Sequence, residues 1–202
     1  MKIIWNGHAC FTLECENGTI AFDPYKDNTV PGLKPLQLKA DKVLCSHGHD
    51  DHNAVEVVQI SKNNKHFDIT KIPSYHDNVD GTLRGNNSIH VVKSEGMMVV
   101  HLGDLGHALS KKQQALIQNC DVLMIPVGGY YTIDGDLAYQ ITQTINPRII
   151  IPMHYRNQNF GYEVISELDV FTKHFDTIKT YDTNWIEVTP TTPHQVAVLT
   201  YL

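Results

Sequence analysis

Short apolar runs, each cut off by Gly, Asn, Asp or Pro, dominate the first half of this chain and restrict its fold more than any other feature. Lys2 to Trp5, Phe11 to Cys15, Thr19 to Phe22 and Lys42 to Cys45 are too short for stable helices. They carry the punctuation of strands in a meandering sheet. A helix is expected at Ala54 to Ser61 with Asn53 as N-cap, and strands return at Asp68 to Ile72, Ser88 to Lys93 and Met97 to His101.

The second half alternates differently. Ser110-Lys-Lys-Gln113 has the form of a capping box and opens a helix reaching about Gln118, after which Val122 to Val127 reads as a buried strand. Leu137, Ala138, Ile141 and Ile145 share one helical face, and Arg148 to Pro152 is another strand. Val164, Ile165, Leu168, Phe171 and Phe175 mark a third amphipathic stretch, and final strands are expected near Thr177 to Tyr181, Trp185 to Val188 and Val196 to Tyr201. Strands interspersed with single helices predict an α+β chain, with two sheets packed face to face and helices outside. The 202 residues are 42% hydrophobic and contain no repeat, low-complexity tract or linker, so 1–202 is read as one domain.

A formal charge of −6 offers no broad basic surface for a phosphate backbone, which argues against nucleic acid as a partner. MKIIWNGHACF lacks the basic start, long apolar run and cleavage site of a secretory signal, and no segment approaches a membrane span, so a cytoplasmic protein with no membrane partner is expected. Cys10, Cys15, Cys45 and Cys120 form no C-x-x-C pair and read as reduced, mostly buried thiols. Twelve histidines against sixteen Lys plus Arg direct attention to metal binding.

The strongest local signal is Ser46-His47-Gly48-His49-Asp50-Asp51-His52, directly after the strand ending at Cys45. In an extended segment residues two apart point the same way, so His47 and His49 can grip one ion. Asp51 and His52 offer a carboxylate and an imidazole to a second ion nearby. His76, Asp104 and His154 each sit just past an apolar strand, where sites assemble.

H-x-H-x-D-H, then a lone His, a Gly-Asp after a strand, and a His after another strand resembles the ordered pattern of the metallo-β-lactamase superfamily. Trp5-Asn-Gly-His-Ala-Cys-Phe11 and Phe22-Asp-Pro24 look like its small stand-alone hydrolase branch, similar to the L-ascorbate 6-phosphate lactonases. The resemblance implies a four-layer αββα sandwich. It implies His47, His49 and His76 on a first metal, Asp51, His52 and His154 on a second, and Asp104 bridging them. On this reading Asp51 and Asp104 are the carboxylates on which catalysis depends.

Five imidazoles and two carboxylates would leave two divalent ions with excess positive charge, able to lower a bound water's pKa to about 7 and yield a metal-bridging hydroxide as nucleophile. Zinc suits nitrogen-rich ligation best, and manganese or iron also accept mixed N/O sites. The expected activity is hydrolysis of an ester, lactone or phosphoester bond in a small anionic metabolite. The alternatives are a nuclease or phosphodiesterase acting on nucleic acid, and a non-hydrolytic di-metal redox or metal-binding protein. His8, Arg84, Tyr130 with Tyr131, and Arg156 are the candidate substrate contacts, the arginines because a planar guanidinium suits phosphate or carboxylate. His101 and His107 are expected to support the site from behind the ligands, and His66, His90, His174 and His194 to lie at the surface or bond locally.

Overall fold

The computed structural model describes residues 1–61 and 65–202. The chain runs through β1 (Lys2–Gly7), β2 (Cys10–Cys15), β3 (Gly18–Phe22), β4 (Leu38–Ala40), β5 (Lys42–Leu44) and β6 (Val58–Ile60). It continues through β7 (Asp68–Tyr75), β8 (Asn86–Ser94), β9 (Met97–His101), α1 (Lys111–Ile117), β10 (Val122–Pro126) and α2 (Gly135–Ile145). It ends with β11 (Ile149–Met153), α3 (Asp169–Thr172), β12 (Lys179–Thr180), β13 (Trp185–Glu187) and β14 (Gln195–Val198).

Two large sheets result, ordered β13-β1-β2-β3-β5 and β12-β14-β11-β10-β9-β8-β7, with a small β4-β6 pair beside them. Phe11, Leu13, Ile20 and Phe22 of the first sheet share one continuous core with Ile89, Val99 and Leu123 of the second. Burying each such side chain stabilises the fold by roughly 1.5–3 kcal/mol. Every residue of β10 and β11 is buried, as expected of parallel strands covered on both faces. α2 lies against β10 and touches α1 and α3, completing the helical covering of that sheet. No described helix is long and apolar enough to cross a membrane.

Local chemistry fixes the helix ends. Ser110 Oγ accepts from Gln113 N while Gln113 Oε1 accepts from Ser110 N, the capping box expected from the sequence. Asp134 caps α2 through Leu137 N at 2.8 Å, and left-handed Asn146 ends it. The predicted face of Ala138, Ile141 and Ile145 is buried.

Three expectations need correction. Ala54 to Ser61 is not a helix: a single 3-10 turn at Val55–Val57 leads into β6, which pairs parallel with β4. Val55, Val57, Val58 and Ile60 are β-branched and lose rotamer freedom in a helix, and Asn53 does not cap it. In the third amphipathic stretch only Asp169–Thr172 is helical, because the preceding backbone is diverted: Ser166 N donates to Gly128 O and Arg156 N to Ser166 O. β7 continues past Ile72 through Pro73, which an edge strand tolerates since the missing N–H breaks no second ladder.

Candidate metal centre

The sheet topology gathers the candidate residues before any side chain is considered. β1, β3 and β5 run in one direction, and His8, Asp23 and the His47 segment follow their C-terminal ends. β7, β9 and β11 likewise share a direction, and His76, Asp104 and His154 follow theirs. His8, Asp23 and His154 are held at φ of 51°, 42° and 54°. Such conformations cost roughly 1–3 kcal/mol each in residues with a Cβ and cluster where surrounding structure must aim a side chain. Gly103, also left-handed, brings the Asp104 turn against Ser46 and Asn87, where a Cβ would collide.

Asp23 fixes two imidazoles at once. Its Oδ2 accepts from His52 Nδ1 at 2.9 Å and from Ser46 Oγ at 2.6 Å, and its Oδ1 accepts from Ser46 N at 2.6 Å. Having donated its only hydrogen to Asp23, Ser46 Oγ accepts from His47 Nδ1 at 2.9 Å. Both rings therefore carry a proton on Nδ1, the arrangement that leaves Nε2 as the nitrogen a metal would take.

Three imidazole nitrogens converge on one carboxylate oxygen. Asp104 Oδ2 has His154 Nε2 at 3.1 Å, His52 Nε2 at 3.2 Å and His76 Nε2 at 3.4 Å around it. His47, His49 and His76 form a second group, their ring centroids 4.6–5.3 Å apart. His8, Asp51, His52 and His154 form a third cluster with ligand atoms in mutual reach. Asp104 is buried, its backbone N–H held by Asn87 Oδ1 at 3.0 Å while Asn87 Nδ2 donates to Ser74 and Leu102 O.

The electrostatics call for a cation. Among the described residues, Asp23, Asp51 and Asp104 find only histidines as ionic partners; no Lys or Arg approaches them. Burial works against a charged His52, yet the Asp104 and Asp23 carboxylates outweigh it and push its pKa well above the ordinary range. Burial also opposes charge on Asp104, but His154 and His52 hold it well below. By contrast, burial lowers His47 to about 3 and His8 to about 4, keeping both neutral and able to donate a lone pair. Buried imidazole nitrogens of His47, His52, His76 and His154 and Asp104 Oδ1 lack hydrogen-bond partners. Buried polar atoms are seldom left so, and this donor set fits divalent metal.

Beside the cluster opens a cleft of about 320 Å³ lined by His49, Asp51, His76, Leu83, Arg84, Asp104, Tyr131 and Tyr162. Arg84, predicted from sequence, lies 5.9 Å from the Tyr131 ring and has no carboxylate partner among the described residues. Its loop hangs on Asp77, whose Oδ1 accepts from Val79 N and Gly81 N and whose Oδ2 accepts from Leu83 N and Arg84 N, at 2.7–3.0 Å.

Two assignments change. Arg156 binds Glu167 at 2.6 Å and Ile165 O and lies outside this cleft; Tyr130 points outward, 64% exposed, while Tyr131 takes the wall. The sequence reading missed Tyr162, whose hydroxyl donates to Asp51 Oδ2 at 3.2 Å from 111 residues away. His8 is buried behind the cleft and not on its wall. His101 supports the site as expected: Nε2 donates to Ala9 O and Nδ1 accepts from Gly103 N, while its ring stacks on Phe22. His107 bonds locally to Tyr75 N and Ala108 O. His90 is buried between the sheets near Phe22 and not at the surface, because β8 is an interior strand buried continuously from Asn87 to Val92.

The family model described as a beta-lactamase superfamily domain matches residues 2–154. The chain belongs to the metallo-β-lactamase superfamily. It is a metal-dependent hydrolase by family: it is 31% identical to a UPF0173 metal-dependent hydrolase of Thermoplasma acidophilum, over 77% of this chain and 83% of that protein. A solved structure from Thermotoga maritima, described as a Zn-dependent hydrolase of the same superfamily, is 33% identical over 98% of the hydrolase and 97% of that chain, with a TM-score of 0.78. Igni18, a metallo hydrolase of Ignicoccus hospitalis, shares the fold at 23% identity over 77% of this chain and 82% of that one, TM-score 0.58. These neighbours share the sandwich predicted from sequence.

Proposed function

We propose that this protein is a dinuclear metal-dependent hydrolase acting on an ester, lactone or phosphoester bond of a small anionic metabolite. The observation that carries the reading is the convergence of three Nε2 atoms within 3.4 Å of one buried Asp104 oxygen. Imidazole nitrogens and a carboxylate oxygen packed this closely are the donor types that divalent cations take, and a cation among them would turn the approach into ligation. His47, His49 and His76 would hold one ion, Asp51, His52 and His154 the other, and Asp104 both. Zinc suits this nitrogen-rich set best. Bound there, the ions supply Lewis acidity, acidifying water and polarising a carbonyl or phosphoryl oxygen.

The chain's own residues do the rest. Arg84 is half-buried at the cleft and free to meet an anionic group through two parallel N–H donors. Tyr131 and Tyr162 wall the substrate, and Tyr162 holds Asp51 Oδ2 through a hydroxyl whose pKa burial and the Asp51 charge raise, so that it stays a proton donor. A cleft of about 320 Å³ sits at the small end of ligand sites and suits a metabolite better than a polymer.

Metal analysis of the purified protein, followed by assay of the zinc-loaded enzyme on lactones, phosphodiesters and thioesters, tests the proposal. Two ions per chain and turnover of small anionic esters are expected. Cleavage of long single-stranded RNA with none of small esters would overturn the substrate class, and saturation at one ion would overturn the paired centre.

A further inference from the structure

The sequence suggests His8 as a substrate contact, but its surroundings do not allow that. Its side chain is 0% exposed, and the wall of the cleft is built without it. It is not an ordinary core histidine either, because both ring nitrogens lack hydrogen-bond partners. The backbone holds it there: the His8 carbonyl accepts from Trp5 Nε1 at 3.0 Å and from His154 N at 3.3 Å, with φ at 51°. So fixed, the ring lies 3.9 Å from that of His154 and 5.3 Å from that of His52, and Nε2 is 3.4 Å from Asp51 Oδ2.

We infer that His8 is a sixth imidazole donor of the metal centre, serving the ion held by Asp51, His52 and His154. This rests on the two-ion reading above. His8, Asp51, His52 and His154 bring one ligand atom each within mutual reach, as do His47, His49 and His76. One ion then has four donors before Asp104 is counted, and the other has three. Asp104, shared between them, raises these counts to five and four, so the ion beside His8 has the fuller set of protein donors. The centre is therefore asymmetric. His8, Asp51, His52 and His154 would hold the more fully ligated ion, and His47, His49 and His76 would leave theirs the more accessible to substrate. Among the histidines, His49 and His76 line the cleft and His8, His52 and His154 do not, while the carboxylates of Asp51 and Asp104 also reach it.

Zinc stoichiometry and affinity, measured by chelator competition on wild type and His8→Gly, test the inference. Glycine accepts the left-handed backbone and leaves a space the size of the ring. Wild type should bind two ions; the variant should keep one at unchanged affinity and bind the other more than tenfold more weakly, with added imidazole restoring it. Two ions at unchanged affinities in His8→Gly, with the fold verified by circular dichroism, would overturn the role of His8 alone. Fewer than two ions in wild type would overturn the paired centre and this inference with it. A measurement on wild type needs no variant: the cobalt-loaded protein should show six hyperfine-shifted histidine rings, and five would overturn the assignment.

Discussion

Asp23 accepts a hydrogen bond from Nδ1 of His52 at 2.9 Å, both side chains fully buried, and so decides which nitrogen of that ring faces Asp104. The same carboxylate sets His47 through Ser46, so one residue orients rings of both proposed ions. Carboxylates behind metal-bound histidines typically govern affinity by 10–100-fold. Asp23→Asn should therefore weaken zinc at both positions by at least about tenfold, read by chelator competition. Affinities within twofold of wild type would mean that the rings are aimed by packing alone.

Asp104→Ala should weaken the second ion and abolish most hydrolysis while the circular dichroism spectrum is retained, because its carboxylate is the one group central to all three rings. A residue that only closed a turn would cost roughly 0.5–2 kcal/mol of stability and spare turnover. A folded variant with two ions and near-normal kcat would return the bridging role to another residue.

Arg84→Ala should raise KM for an anionic ester about tenfold or more and leave kcat within a few-fold, since the guanidinium grips the substrate in ground and transition states alike. Arg156→Ala is the control. Its pairing with Glu167 is half-exposed and worth at most about 1 kcal/mol, so kinetics should be unchanged and only the melting temperature should move. Equal KM values in wild type and Arg84→Ala would remove Arg84 from binding.

Asp77 orders the loop that presents Arg84, so Asp77→Ala should copy the KM defect of Arg84→Ala without altering metal content. Its contribution is also pH-dependent. Four backbone N–H groups outweigh its burial and lower its pKa to about 2, against about 3.9 in an unfolded chain. Stability from this group is present above about pH 4 and is lost as the pH falls towards 2. The melting-temperature gap between wild type and Asp77→Ala should be constant from pH 5 to 7 and shrink below pH 4. A constant gap throughout would show that the charge is not what orders the loop.

What could be read from the sequence was whatever is local. The capping box at Ser110, the apolar face of α2, the buried strands and the contiguous His47–His52 segment all declare themselves within a few residues. The parallel pair β4–β6 did not, because three-residue strands are too short to show alternation and Val55–Ile60 contains a helix-like spacing of apolar residues. Tyr162, Asn87 and Ser46 escaped for a different reason. They act across 111, 17 and 23 residues, and even Ser46, which opens the histidine segment, gives no local sign of its partner Asp23. Arg156 misled because proximity to His154 in the chain is not proximity to the cleft, once Glu167 turns its guanidinium away.

The first strand finds one of its two neighbours almost at the far end of the chain: Lys2 faces Glu187 and Ile4 faces Trp185 in β1 and β13. Such pairing requires closing the longest loop the chain offers, which makes it slow and places it late on the route to the folded state. His8 follows β1 directly, so the loop bearing it gains its final support only when β13 docks. During synthesis the H-x-H-x-D-H segment emerges long before that strand, with its imidazoles exposed to whatever cations the surroundings hold. On the two-ion proposal, the six imidazoles reach their final spacing only in the finished sandwich, so choice among cations would fall to it and not to the nascent segment that meets them first.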